Sequence, residues 1–337
     1  MLALFSDTAI PLLLALLLAL LLARWFQSPT SPLHLLDHPN ERSLHQRPIP
    51  RSGGIAILAA LLLGWSLLPA VAGVGWIIAG GVLIALVGLW DDTGHLPVPV
   101  RLLAQTLAVA LLWSGGLAVS SVPLPPPTLA LGPLLGGVFT LVGGVWMINL
   151  YNFMDGMDGL AAGMGVIAFA TLALLGLLAG DLLFAQLTLV LVAALLGFLV
   201  WNAPPAGIFL GDSGSGLLGF LAIAFALLAE QRGIVPLWIA LTLFAPFIFD
   251  SSYTLIKRQL RGERVWQPHR EHLYQQLITS GWSHRRTLVW GYLLMLFTAA
   301  SVFAAAYAPV VVQWGVLLFL LLGYSVIALL IQRNGGD

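Results

Sequence analysis

The chain is 337 residues long, 59% hydrophobic and 8% charged, with fourteen basic and fourteen acidic side chains and no net charge. A soluble protein normally carries about 25% charged residues, so the composition excludes a water-soluble globule and describes an all-α, polytopic integral membrane helix bundle. Cysteine is absent, which removes disulfides and thiolate metal ligands from consideration.

Crossing a hydrocarbon core takes roughly 20 helical residues, and about eleven apolar stretches approach that length. They are expected near 8–26, 53–72, 74–90, 101–119, 134–150, 160–178, 181–201, 215–230, 234–256, 286–308 and 310–331. The first has the hydropathy of a signal peptide but lacks a basic n-region and a small-residue cleavage site and runs too long, so it is expected to be a retained helix. The whole, 1–337, is expected to form one transmembrane domain with polar loops at 27–52, 91–100, 151–159, 202–214 and 257–285.

Basic residues orient the spans. Arg42, Arg47 and Arg51 follow the first, Arg101 the third, and Arg333 the last. Lys257, Arg258, Arg261, Arg264, Arg270, Arg285 and Arg286 fall between the ninth and tenth. The alternate loops, including the proline-rich stretch 120–133, hold only Arg232. The asymmetry puts the N-terminus outside and the C-terminus in the cytoplasm. All the polar loops then share the cytoplasmic face, which is the pattern of one composite site.

Ionisable groups beside membrane spans are costly and mark chemistry by default. Asp91-Asp92 ends an apolar helix; adjacent carboxylates repel, so one pKa rises unless a cation neutralises them. Such a pair suits a general base or a metal-assisted phosphate site, against the plain alternative of a solvated helix end. In the run Asn152 to Gly159 (NFMDGMDG), Asn152, Asp155 and Asp158 recur every three positions. That spacing stacks three oxygen-bearing side chains on one helical face or along a turn. With no His or Cys nearby they suit a hard cation such as Mg²⁺, which takes one or two carboxylates plus substrate phosphates; an ordinary Asp-Gly turn is the alternative. Asn202 ends the seventh span. Gly211 to Gly216 (GDSGSG) places Asp212 in a flexible loop at a helix N-terminus, where phosphate is favoured, although an N-cap reads equally well. His269, Arg270 and His272 (HREH) lie in the longest basic loop, whose arginines can grip a diphosphate or answer only to the positive-inside rule. Asp250, about two turns before Lys257-Arg258, is expected to pair with a neighbouring arginine. Pro236 and Pro246 are expected to bend the ninth span into a groove for a lipid tail.

Taken together, SGG (Ser52 to Gly54), WDD (Trp90 to Asp92), NFMDGMDGLAAG (Asn152 to Gly163), WN (Trp201-Asn202), FLGDSGS (Phe209 to Ser215) and PHREHLYQ (Pro268 to Gln275) resemble the polyprenyl-phosphate N-acetylhexosamine-1-phosphate transferases. The pattern looks most similar to the enzymes that begin O-antigen synthesis. It departs from the muramoyl-pentapeptide transferases, with PHREHLYQ in place of their histidine triplet and Arg-Pro-Ile-Pro-Arg in place of their lysine-bearing segment.

The resemblance implies transfer of N-acetylhexosamine 1-phosphate from a UDP-sugar to undecaprenyl phosphate at the cytoplasmic side of a bacterial inner membrane, with release of UMP. It also implies Mg²⁺, with Mn²⁺ as a substitute. Carried over by position, Asn152 and Asp212 would hold the metal, Asp91 and Asp92 would orient or deprotonate the lipid phosphate, and Asp155 and Asp158 would contact nucleotide or metal water. Asn202, His269, Arg270 and His272 would bind the donor. Nothing calls for nucleic acid, and helix faces rich in Gly and Ala leave a homodimer open. The rival readings are a transporter, which would set its carboxylates near the bilayer midplane, and a lipid-phosphate phosphatase, which needs no nucleotide.

Overall fold

Apolar runs punctuated by proline set the helix boundaries. The structure is a computed structural model describing residues 2–39, 47–94, 96–122, 129–264, 267 and 269–334, with the backbone alone at 2–7 and 334; Arg42 and Pro268 lie outside these. Helix α1 (Leu2–Phe26) leads into a two-residue antiparallel pair, β1 (Leu36–Asp37) and β2 (Ile49–Pro50), with Asp37 opposite Ile49. Then follow α2 (Gly53–Ser66), α3 (Val74–Gly94) and α4 (Val98–Ser114), a second short pair β3 (Ser121–Val122) and β4 (Leu129–Ala130), and α5 (Pro133–Phe153). The rest is helical: α6 (Leu160–Leu178), α7 (Leu182–Asn202), α8 (Gly211–Gln231), α9 (Leu237–Thr242), α10 (Ala245–Leu260), α11 (Leu273–Thr279), α12 (His284–Ala305) and α13 (Val310–Asn334).

Local chemistry explains the starts. Pro97 and Pro99 open α4, where a missing N–H costs nothing. Asp181 accepts from the Phe184 amide at 3.0 Å to cap α7, and Ser283 caps α12 through the Arg286 amide. The expected ninth span is not one bent helix but two: Pro246 in the first turn of α10 cannot donate back to α9, so the ladder breaks after Thr242. The long basic loop is likewise not all loop, since it contains α11.

Among the described residues eight helices are long and apolar enough to cross a membrane, and α2 and α4 are shorter apolar helices. Eight such helices, fewer than the eleven stretches expected, make the chain a polytopic helix bundle. Its axis is α8, with 94% of its apolar window buried against 17% for α13 at the periphery. Helices α2, α3 and α5 pack on α8; α7 lies between α1 and α6, and α4 contacts α3 and α5. Phe169, Phe184, Phe225 and Phe244 meet edge to face inside, whereas Leu103, Val142 and Val311 are exposed on outer faces, as hydrocarbon solvent permits. Arg232, the basic residue counted on the outer side, pairs with Asp181.

Candidate active site

The first turn of α8 organises one end of the bundle. Strand β2 and the residues after it brace the chain entering α8. The Phe209 amide donates to the Pro50 carbonyl at 2.7 Å, and the Gly53 and Gly54 amides donate to Phe209 and Leu210 at 3.0 and 2.8 Å. Gly211 takes φ +75°, and a Cβ there would lie 2.2 Å from the Arg51 carbonyl, so only glycine fits. Two other glycines let backbones touch. A Cβ on Gly54 would lie 2.1 Å from the Gly214 nitrogen, and one on Gly88 would lie 2.6 Å from the Asp212 carbonyl. GDSGSG is therefore the start of the helix, clamped from two sides, rather than a flexible loop.

Helix N-termini leave amides without partners, and α3 supplies the acceptor. Asp92 Oδ1 accepts from the Asp212 amide at 3.0 Å, and Oδ2 accepts from Ser213 at 3.2 Å. Arg51 stands behind it. Its Nη2 donates to the Asp92 carbonyl at 2.7 Å and its Nη1 to Asp37 at 3.3 Å, while its Nε lies 3.7 Å from Asp92 Oδ1. Helix α3 runs on to Gly94 instead of ending near residue 90, and consecutive helical residues diverge by about 100°. Asp91 consequently faces α4, accepting from the Leu96 amide at 2.6 Å and from Arg101 Nη1 at 2.9 Å. The two carboxylates thus face different partners, Asp91 the Arg101 guanidinium and Asp92 the first amides of α8.

Of the two arrangements expected for Asn152, Asp155 and Asp158, a helical face or a turn, the structure shows the turn, because α5 ends at Phe153. Asn152 Nδ2 donates to Asp212 Oδ1 at 2.6 Å and to Ser215 Oγ at 2.9 Å. Asp158 accepts from the Ala206 amide at 2.9 Å. Buried Asn202 accepts from the Gly159 amide at 3.0 Å and donates to the Ile208 carbonyl at 2.9 Å, tying the turn to the loop before α8. Both ends of its amide are thus committed to backbone. Asp155 differs: no hydrogen bond among the described residues falls on its carboxylate. Loss of solvent, then the charges of Asp212, Asp92 and Asp158, push its pKa well above the ordinary carboxylate range.

The HREH segment is anchored from below. Asp250 has no arginine partner among the described residues. It accepts from Leu273 N at 2.9 Å, Tyr274 N at 3.4 Å, Thr254 Oγ1 at 3.2 Å and His272 Nδ1 at 3.3 Å. His272 is buried, and Tyr274 reaches the Phe153 carbonyl at 3.3 Å, so α11 leans on the end of α5. Arg258 and Arg261 are both bound to Glu263 and Glu271, which offsets two of the charges of this basic loop. Replacing Asp250 with alanine strands buried donors at about 1–3 kcal/mol each. Limited proteolysis of D250A is expected to cut near α11 much faster than in the wild type, with D250N in between.

Burial, then His272 and Arg258, pull the His269 pKa down to about 4. Its Nδ1 accepts from the Glu271 amide at 3.3 Å, leaving the neutral ring a donor at Nε2 rather than a cation. An unfolded histidine titrates near 6.5, so between pH 6.5 and 4 the unfolded chain takes up a proton that the native ring refuses. This contribution to stability is present above pH 6.5 and lost as pH falls toward 4. The thermal midpoint of H269Q is expected to fall less than that of the wild type across this window.

Two spaces meet at this end. A polar cleft of about 90 Å³ is lined by Asp91, Arg101, Asn152, Phe153 and Asp212. An apolar groove of about 570 Å³ runs between α10, α11, α12 and α13, with Met154, Pro246, Phe247, Asp250 and Trp290 on its walls. Phe153 of the cleft and Met154 of the groove are consecutive residues at the end of α5. Among the described residues no three His, Cys, Asp or Glu side chains form a metal cluster. The donor set nonetheless fits a hard cation held partly by substrate. Once Asn152 has bonded Asp212 Oδ1, the other oxygens, Asn152 Oδ1 and Asp212 Oδ2, accept no hydrogen bond from a described residue, and Mg²⁺ ordinarily completes its shell with water and phosphate.

Sequence reasoning gave no site role to Arg101, which it counted only as a topology signal, or to Arg51, Ser215 and Tyr274, which it quoted only as parts of motifs. It also missed the glycine contact at Gly88, whose meaning depends on Asp212 and Ser213 of α8, far along the chain.

Residues 74–230 match the model of glycosyl transferase family 4. The chain is 30% identical to a probable undecaprenyl-phosphate N-acetylglucosaminyl 1-phosphate transferase of Bacillus subtilis, over 87% of this chain and 83% of that one. It is 33% identical to a decaprenyl-phosphate N-acetylglucosaminephosphotransferase of Mycolicibacterium smegmatis, over 89% and 82%. With an undecaprenyl-phosphate alpha-N-acetylglucosaminyl 1-phosphate transferase of Salmonella typhi it shares 29%, over 89% and 84%.

Proposed function

The chain belongs to glycosyl transferase family 4, and we propose that it transfers N-acetylhexosamine 1-phosphate from a UDP-sugar to undecaprenyl phosphate. An acceptor-phosphate oxygen bonds to the sugar-bearing phosphorus of the donor, the bond from that phosphorus to UMP breaks, and a diphosphate-linked lipid remains. The product suits O-antigen or another envelope polysaccharide. The observation that carries this reading is the adjacency of the polar cleft and the apolar groove across Phe153-Met154. An enzyme joining a soluble anion to a lipid-tailed anion needs both, with their reacting ends at one place.

Asp212 and Asn152 would hold Mg²⁺, with Mn²⁺ as a substitute; the ion would neutralise the diphosphate and the charge developing on UMP. Asp92 acts by fixing the first turn of α8. Asp91 acts by holding Arg101, whose remaining N–H groups can bind phosphate oxygens. Asp155, with both carboxylate oxygens uncommitted, is the acid available to a substrate or to metal-bound water. Neutral His269 donates from Nε2 toward the donor, while His272, Asn202 and Asp158 shape its surroundings and Arg270 remains the cation of HREH. The weight of Lys and Arg on these loops supports a cytoplasmic site in a bacterial inner membrane.

The test is UMP release by the purified protein from a panel of UDP-N-acetylhexosamines. UDP-N-acetylglucosamine comes first, because the relatives are named for that sugar. Release is expected only with both Mg²⁺ and undecaprenyl phosphate. A transporter releases no UMP, a phosphatase frees inorganic phosphate from the lipid without nucleotide, and silence across the panel rejects the reading. A photoreactive prenyl phosphate is expected to label α10 and α12 along the groove; labelling confined to α1 or α4 rejects that docking.

A further inference from the structure

We propose that Gln105 and Asn149 are positioning residues of the transfer site, setting the last turn of α5 so that Asn152 meets Asp212. The proposal rests on reading the cleft as that site. Asn149 lies three residues before Asn152, hence on the same face one turn deeper, and both line the cleft with Gln105. Asn149 Nδ2 donates to Gln105 Oε1 on α4 at 2.7 Å and to the Val145 carbonyl of its own helix at 2.8 Å. The carboxamide is therefore fixed from two directions, and with it the rotation of α5 just below Asn152.

The pair also faces the cleft. The same lining holds Gly88 and Gly216, which offer no side chain, and the apolar Ile84 and Ile148, and these two amides are among its polar groups. The return arm is slack: Gln105 Nε2 to Asn149 Oδ1 is 3.5 Å, at the limit of a hydrogen bond. That arm can be exchanged for a water or a phosphate oxygen without losing the tight arm that holds α5.

A pair serving only as interhelical glue behaves differently. Such bonds between membrane helices are individually weak, and replacing both partners with apolar groups of similar shape is close to neutral. The double variant Q105L/N149L is expected to keep the wild-type thermal midpoint in detergent. Its kcat for UMP release is expected to fall roughly a hundredfold, as for an ångström-scale misplacement, with a smaller change in KM. The exchange Q105N/N149Q keeps an amide pair of the same total length and is expected to restore most of the rate. Wild-type kcat in Q105L/N149L overturns the proposal. So does a folded Q105N/N149Q variant lacking activity, which serves as the test if the leucine pair does not fold. D212A separates the levels. An active D212A rejects the cleft as the site, whereas an inactive D212A beside an active leucine pair rejects only the positioning role.

Discussion

Asp212→Ala is expected to abolish transfer in a protein that still inserts and purifies. The cap on α8 runs from Asp92 to the Asp212 and Ser213 amides, which alanine retains. The side chain itself loses one hydrogen bond, from Asn152, worth about 1 kcal/mol, and its removal relieves repulsion from Asp155. Stability should therefore barely change. The rate loses an oxygen aimed where the diphosphate and its cation would sit, and removing one preorganised electrostatic group costs roughly a hundredfold to a thousandfold; a metal ligand is expected to exceed that. UMP release and the thermal midpoint, measured on one preparation, check both halves. Turnover within tenfold of wild type sinks the assignment, and a collapsed midpoint sinks the separation of cap from ligand.

The second large effect is expected from a residue without a side chain. A Cβ on Gly88 would lie 2.6 Å from the Asp212 carbonyl, the Ser213 Cα and the Ser213 nitrogen. All three are backbone atoms, so no rotamer change relieves the clash, and α3 and α8 must separate. Asp92 lies four residues further along α3, one turn on from Gly88 and likewise against α8. Separation therefore lengthens the Asp92 cap and shifts Asp212 away from Asn152. Overpacking typically costs about 1–3 kcal/mol, and misplacement of a catalytic group by an ångström costs roughly a hundredfold in rate. G88A is expected to show both. Gly94→Ala, at the end of the same helix with nothing within 4 Å of the added carbon, is the matched control and is expected to behave as wild type. Equal activity in the two variants rejects the close-packing argument.

The spans were legible because crossing hydrocarbon is a property of each segment alone, and hydropathy adds along the chain. The break between α9 and α10 was half legible: Pro246 announces a disturbance, but bend or rupture depends on whether neighbouring helices can seat two short pieces. In the site, Asn152 and Asp212 were legible as oxygen donors. Their partners were not, because what Asp92 and Asp250 recognise are backbone amides of α8 and α11, and every residue but proline has one. Asp250 looked like half of an ion pair with a nearby arginine, since sequence shows charges and hides helix ends. Arg101 was hidden by the rule that explained it, as a basic residue beside a span already has a reason to be there.

The Asp92 cap also sets an order of events during biosynthesis. Its acceptor belongs to the third helix and its amides to the eighth, 120 residues later. At about 5–20 residues per second, a ribosome takes on the order of 6–24 s to deliver one after the other. Throughout that interval the carboxylate waits at the membrane surface with only Arg51 and water for company. A nascent chain that stops before α8 holds the residues of the Asp91–Arg101 and Gln105–Asn149 pairs but lacks Asp212, so the contact of Asn152 with Asp212 comes last.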